Sequence, residues 1–245
     1  MWPYPKIIAH RGGGSLAPEN TLEAFQCGFS YGFRAVEFDV MLTKDQIPVV
    51  VHDERLGRTV AGSGQICDLL ASELVQLDAG SWFGSDFAGA HVPTLSQVLD
   101  FCTRGAIWMN IEIKPAAGFE EVTGRIVAEA TCDFYQNTNF IQPLFSSFSM
   151  DALATAQIFA PHIARGALFD QIPPDWLEQV KKLDAVSVHT NQRTLTVDMA
   201  QRVKQAGLGL CCYTVNDPIR ARELLAVGVD ALFTDNLKII GADFV

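Results

Sequence analysis

Glu37 and Asp39 stand two residues apart in V-E-F-D-V, and the stretch they open runs on through P-V-V-V to His52 and Asp53. On a strand, residues i and i+2 point to one face, so the two carboxylates share a side while Val36, Phe38 and Val40 share the other. If the apolar side packs on a layer of helices, both acids face the middle of the molecule. Carboxylates held together out of water repel and raise each other's pKa unless a cation or a shared proton lies between them. A third acid, Glu112, sits in a second apolar run, N-I-E-I-K, two residues ahead of Lys114. Three carboxylates form an all-oxygen set with room for water, which suits Mg²⁺ or Ca²⁺, whereas zinc would more often recruit histidine directly.

Histidine and fixed positive charge accompany these acids. His10 precedes Arg11 at the end of another apolar run, and His52 precedes Asp53. Two histidines at one rim can divide proton transfer, one accepting and the other donating. Arg11 offers a planar fork suited to phosphate oxygens, and Lys114 adds a point charge. The bland alternative pairs Glu37 and Glu112 with Arg11 and Lys114 in a buried salt-bridge network and leaves both histidines as core residues. It must then account for three acids and two histidines converging on one place. His91 and His162 lie beside prolines in loops and look incidental, while His189 closes an apolar run and is a candidate for a supporting role.

The elements that position these groups alternate. Strands are expected over 7–10, 35–40, 108–114, 143–146, 164–168, 185–189, 210–215 and 231–234. Amphipathic helices are expected over 20–31, 95–103, 119–135, 150–159, 176–182, 197–205 and 217–226, the first opening on Asn20 with Glu23 at capping-box spacing. Strand–helix repetition on this scale predicts a parallel sheet closed into a (β/α)₈ barrel of the TIM type, with catalytic groups at the C-terminal ends of strands. The run 49–52 stands outside that count. Only residues 44–48 separate it from the preceding strand, too few for a parallel crossover, so it must return as a hairpin arm and bring His52 beside Glu37 and Asp39. From 54 to 92 the periodicity lapses, and the segment reads as an insertion over the barrel mouth within a single domain, 1–245. Trp82, Phe83 and Phe87 in it are expected to pack it down, with a substrate entrance as the other possibility.

Bulk properties narrow the partners. The 245 residues are 49% hydrophobic and 19% charged, an ordinary globular composition. A net charge of −10 disfavours nucleic acid and anionic membrane surfaces, but not a small anionic substrate where a metal reverses the local field. Six cysteines without a C-x-x-C read as buried thiols in a reducing compartment. The opening M-W-P-Y-P-K is unlike a secretory signal, and no run approaches the ~20 apolar residues of a membrane span. A cytoplasmic enzyme without stable membrane anchoring is expected, its oligomeric state left open.

Taken in order, H-R-G at 10–12, P-E-N-T at 18–21, E-F-D at 37–39, H-D at 52–53, E-I-K at 112–114, F-S-S-F at 145–148, Y-T-V-N at 213–216 and T-D at 234–235 resemble the glycerophosphodiester phosphodiesterases. The match runs from the first strand to the last, and the cytosolic bacterial branch is the nearest in kind. The resemblance implies a barrel related to bacterial phosphoinositide phospholipases, with a small insertion after the histidine hairpin. It implies a divalent metal on Glu37, Asp39 and Glu112, acid–base catalysis by His10 and His52, and phosphate held by Arg11 and Lys114. The products would be sn-glycerol 3-phosphate and an alcohol such as choline or ethanolamine. Tyr213 stands where the family usually has Trp, so an aromatic substrate wall is kept with a polar tip added. By analogy, the glycerol 2-hydroxyl attacks phosphorus with His10 as base and His52 as acid, and water then opens the cyclic phosphate. A phospholipase-D-like hydrolase of lysophospholipids, with Trp82, Phe83 and Phe87 as its apolar groove, is the competing enzyme. A non-catalytic phosphodiester-binding barrel would lack a member of the histidine or carboxylate set, and none is missing.

Overall fold

A computed structural model describes residues 2–136 and 140–245. Its strands are β1 (Ile7–Ala9), β2 (Ala35–Leu42), β3 (Pro48–Val50), β4 (Trp108–Ile113), β5 (Leu144–Ser147), β6 (Ala164–Phe169), β7 (Ser187–Asn191), β8 (Gly209–Tyr213) and β9 (Ala231–Thr234). Neighbours in the order β1-β9-β8-β7-β6-β5-β4-β2 run parallel, and β1 meets β2 through Ala9 and Val36, which closes the ring into a (β/α)₈ barrel. The remaining strand, β3, is antiparallel to β2 with Val40 opposite Val50 and Leu42 opposite Pro48. The hairpin continues past β3, where the Val51 N–H donates to the Asp39 carbonyl at 3.0 Å.

The helices are α1 (Leu22–Ser30), α2 (Ala71–Leu74), α3 (Leu95–Arg104), α4 (Glu120–Tyr135), α5 (Met150–Phe159), α6 (Trp176–Lys182), α7 (Val197–Gln205) and α8 (Pro218–Ala226). Side chains of Thr21, Thr94, Ser149, Thr196 and Asp217 accept first-turn N–H groups of α1, α3, α5, α7 and α8, each cap contributing about 1 kcal/mol. Several boundaries shift by one or two residues from the sequence expectation, and two of these shifts have a plain physical reason. Thr21, not Asn20, caps α1, and Asn20 adopts φ 60° and turns inward instead. β7 starts two residues late, because Asp184 at φ 47° and Ala185, bonded to the Val180 carbonyl, still belong to the turn that ends α6.

Alternation sorts the strands between two cores. Outward residues such as Phe38, Ile111 and Phe145 meet Phe25, Leu99, Leu153 and Val180 of the helices in one continuous cluster. Inward residues Ile8, Ala35, Trp108, Leu144, Cys211 and Ala231 fill the N-terminal end of the barrel, where Tyr4 stacks on Trp108 with ring centroids 4.4 Å apart. A smaller cluster joins Met41, Val49 and Val51 of the hairpin to Val60, Ile66, Leu74, Ala79 and Val92. All six cysteines are free. Cys102, Cys211 and Cys212 are buried, but Cys27, Cys67 and Cys132 are partly exposed, because they sit on a helix rim or in a loop rather than under the helices. Among the described residues no helix is long and apolar enough to cross a membrane.

Candidate active site

The same alternation that plugs one end of the barrel places charge at the other. Residues two and four positions further along the inward faces are Glu37 and Asp39 on β2 and Asn110 and Glu112 on β4, with Asp39 and Glu112 side by side in register. Glu37, Asp39 and Glu112 each offer a carboxylate oxygen, all within 4.8 Å of one another. Together with His10, Arg11, His52, Lys114 and Tyr213 they line one cavity of about 180 Å³ at the C-terminal strand ends. Every site residue expected from sequence is thus found at one place.

The three acids are not equivalent. Asp39 accepts a hydrogen bond from Asn20 Nδ2 at 2.9 Å and faces Lys114 Nζ at 3.3 Å and Arg11 Nε at 3.6 Å. Burial opposes its ionisation, but Lys114 and Arg11 outweigh burial and hold it well below the usual carboxylate range. Glu37 accepts the Arg11 backbone N–H at 3.1 Å, yet burial and the neighbouring Asp39 charge push it up to about 7. Burial, then Asp39 and Glu37, drive Glu112 well above its ordinary value. Two of three clustered acids therefore resist ionisation for want of neutralising charge. A hard dication between three carboxylate oxygens would supply it, so the donor set and its electrostatics both fit a divalent metal.

Each histidine at the rim has its own carboxylate. His10 Nδ1 lies 2.6 Å from Asp235 Oδ1, and its Nε2 is 3.8 Å from Glu37 Oε2. His52 Nδ1 lies 2.7 Å from Asp53 Oδ1. An acid on Nδ1 sets ring orientation and tautomer and leaves Nε2 for chemistry. Burial would lower His10, but the bond to Asp235 and the charge of Glu37 overcome it and raise its pKa. Burial lowers His52, assisted by Arg11 and Lys114 and only partly offset by Asp39 and Asp53.

Tight loop packing holds these groups. Arg11 occupies the left-handed region at φ 51°, which aims its N–H at Glu37. Gly14, at φ +54°, lies against the Asp235 backbone so closely that a Cβ there would stand 2.4 Å from the Asp235 carbonyl oxygen. Asp235 is pinned in turn by Asn216, which donates from Nδ2 at 3.0 Å and accepts the Asp235 N–H at 2.7 Å. Tyr213 presents its ring edge-on to Phe148 at 5.9 Å, while its hydroxyl donates to the Phe169 carbonyl at 2.9 Å, so the polar tip is tied to backbone.

Other residues sort clearly. His189 is fully buried against the cavity floor, its Nε2 2.9 Å from Ser187 Oγ, and burial holds its pKa down to about 3, so it is neutral. His91 and His162 lie away from the cavity, beside the Leu77 carbonyl and Cys132. Trp82, Phe83 and Phe87 pack edge-to-face at 5.5 and 5.4 Å, while Trp82 and Phe83 also border a shallow depression shared with His10, Arg11 and Asp235. Asn20, Asp53 and Asp235 were outside the expected site set, although P-E-N-T, H-D and T-D carried them. Nothing in those motifs alone says which acid meets which histidine.

The glycerophosphoryl diester phosphodiesterase family model matches residues 10–239. A glycerophosphodiester phosphodiesterase of Caldanaerobacter subterraneus subsp. tengcongensis is 32% identical over 234 residues, covering 94% of this chain and 93% of its own. Among solved structures, a phosphodiesterase of Oleispira antarctica in complex with the product sn-glycerol-3-phosphate superposes with a TM-score of 0.91 at 37% identity, covering 97% of this chain and 96% of its own. The glycerophosphodiester phosphodiesterase of Agrobacterium tumefaciens does so with a TM-score of 0.78 at 28% identity, covering 98% and 100%.

Proposed function

The chain belongs to the glycerophosphoryl diester phosphodiesterase family and is a glycerophosphodiester phosphodiesterase, and from that premise we propose how its own residues perform the reaction. The substrates are glycerophosphodiesters with small alcohols, such as glycerophosphocholine and glycerophosphoethanolamine, and the products are sn-glycerol 3-phosphate and the alcohol. Residues 1–245 act as one domain, with 54–92 an insertion over the mouth. Glu37, Asp39 and Glu112 would hold Mg²⁺ or Ca²⁺. Such a cation would supply Lewis acidity toward a phosphate and lower the pKa of a nearby hydroxyl.

Arg11 and Lys114 bind the phosphate oxygens, and Tyr213 walls the substrate. His10 removes the proton of the glycerol 2-hydroxyl through Nε2 as that oxygen attacks phosphorus. His52 protonates the departing alcohol, and the two exchange roles when water opens the cyclic phosphate. Asp235 and Asp53 hold the Nδ1 side of each ring, so both histidines keep Nε2 available throughout. The observation that carries the reading is this pairing, two histidines each on its own aspartate, flanking a cluster of three carboxylates.

The deciding experiment follows release of glycerol 3-phosphate from glycerophosphocholine with and without EDTA. Turnover should vanish with chelator and return with Mg²⁺ or Ca²⁺; full turnover in excess chelator removes the metal from the reading. A 2-deoxy analogue should bind but not turn over, since an attacking group held beside phosphorus can be worth ~7–11 kcal/mol of the barrier. Brisk hydrolysis of that analogue would replace the internal nucleophile with water. The depression bordered by Trp82 and Phe83 favours a second reading, hydrolysis of lysophospholipids at the same site, which turnover of lysophosphatidylcholine would establish.

A further inference from the structure

Arg58 lies in the segment after the hairpin, outside the cavity, and its side chain is 48% exposed. Its guanidinium nevertheless meets two separate acids. Nε donates to Asp53 Oδ2 at 2.5 Å, while NH1 and NH2 donate to Glu19 Oε2 and Oε1 at 2.9 and 2.7 Å. Each acid holds a site residue with the same carboxylate: Asp53 Oδ1 is on His52 Nδ1, and Glu19 Oε1 accepts from Arg11 NH1 at 2.5 Å. The backbone beside Arg58 is anchored, since Thr59 and Val60 are buried and Val60 belongs to the apolar cluster under the hairpin.

We infer that Arg58 is a positioning residue that clamps Asp53 and Glu19 together and so holds His52 and Arg11 in mutual register across the mouth of the site. The inference rests on the roles proposed above for His52 and Arg11. Only a planar fork with donors on separate edges spans two carboxylates in this way; an ammonium is a compact point charge. Arg58 is half-exposed, so screening limits what its ion pairs add to stability, and the larger effect of the clamp falls on geometry. Without it, Asp53 loses the partner on its second oxygen and can rotate away from His52. Glu19 keeps only Arg11, so the Arg11 guanidinium loses its fixed partner at the rim and is positioned from the Asp39 side alone.

The test compares R58M and R58K with the parent as full-length, metal-loaded protein turning over glycerophosphocholine. R58M should lower kcat about 10²-fold, the scale of a misplacement near 1 Å at a reacting group. It should also weaken inhibition by glycerol 3-phosphate, which reads Arg11 rather than His52, with Tm close to the parent's. R58K should recover part of one defect but not both. In proton NMR, the His52 Nδ1–H signal held by Asp53 should broaden in R58M. Parental kcat and product inhibition in folded R58M, alongside an inactive H52A, overturn the clamp and leave the proposed mechanism standing. An active H52A overturns the role of His52 itself, whatever R58M does. If R58M fails to fold, R58K decides: parental constants overturn the clamp, and a partial loss supports it.

Discussion

The two ends of the barrel interior are made from the same strands and the same inward alternation, yet they obey opposite rules. At the N-terminal end Ile8, Ala35 and Trp108 pack against one another under Tyr4, with Trp108 2% exposed. Two and four residues on, the corresponding positions are His10, then Glu37 and Asp39, then Asn110 and Glu112. The first end lowers the free energy of folding by taking apolar surface out of water. The second gathers like charges where water is scarce, which costs stability unless a cation joins them. The charged and titratable groups are confined to the end where the packing rule is suspended, and the apolar end is what makes that suspension tolerable.

Substitutions of opposite sign at the two ends sharpen the contrast. The largest effect is expected for E112Q, which should reduce turnover to the background rate by removing one of the three proposed metal ligands. In metal-free buffer near pH 7.5 the same variant should melt above the parent, because an amide of equal shape replaces a buried carboxyl that must either carry an unpaired charge or take up a proton on folding. A lower Tm would mean that Glu112 is stabilised there by contacts rather than by an absent cation. Next, H10A and H52A should each lose roughly 10²–10⁴-fold in turnover with the fold intact. A leaving group that needs no proton, such as nitrophenol, should shrink the H52A defect but not the H10A defect; the reverse pattern would exchange acid and base. At the other end, W108A should lose about 3–5 kcal/mol of stability while kcat per folded molecule stays at the parental value. A kcat that falls with it would show that the plug also aims the site.

The smallest effect separates the ends by pH. Glu37 is raised from 4.5 to about 7 on folding, and Glu112 moves the same way. Between those values the folded chain keeps protons that the unfolded chain has released, so stability present below pH ~4.5 is lost as pH rises toward 7. His10, also raised, adds to this trend, while His52, lowered, opposes it. Melting of metal-free protein should fall by several degrees from pH 5 to 7.5, and Mg²⁺ or Ca²⁺ should restore it at pH 7.5 but little at pH 5. A flat profile without metal would show the acid cluster to be neutralised by the protein itself.

Local rules carried much of this. The period-two pattern of V-E-F-D-V assigned Glu37 and Asp39 to one face before any neighbour was known, because strand geometry leaves no alternative. The short 44–48 link forced a hairpin, since no parallel crossover fits in it, and that delivered His52 to the acids. Repeated strand–helix alternation implied the barrel, and the barrel implied which strand ends carry chemistry. What tertiary structure decided is every pairing between residues far apart in the chain. Asp235 reaches His10 across 225 residues, and Glu19 meets Arg58 across 39. Asn20 had the right spacing for a helix cap, but Thr21 took that role, and only the closed barrel gave Asn20 its partner on Asp39. Charge states were decided there as well: Asp39 and Glu37 are the same chemistry two residues apart and burial raises both, but Lys114, with Arg11, overturns it at Asp39, while at Glu37 the charge of Asp39 adds to it.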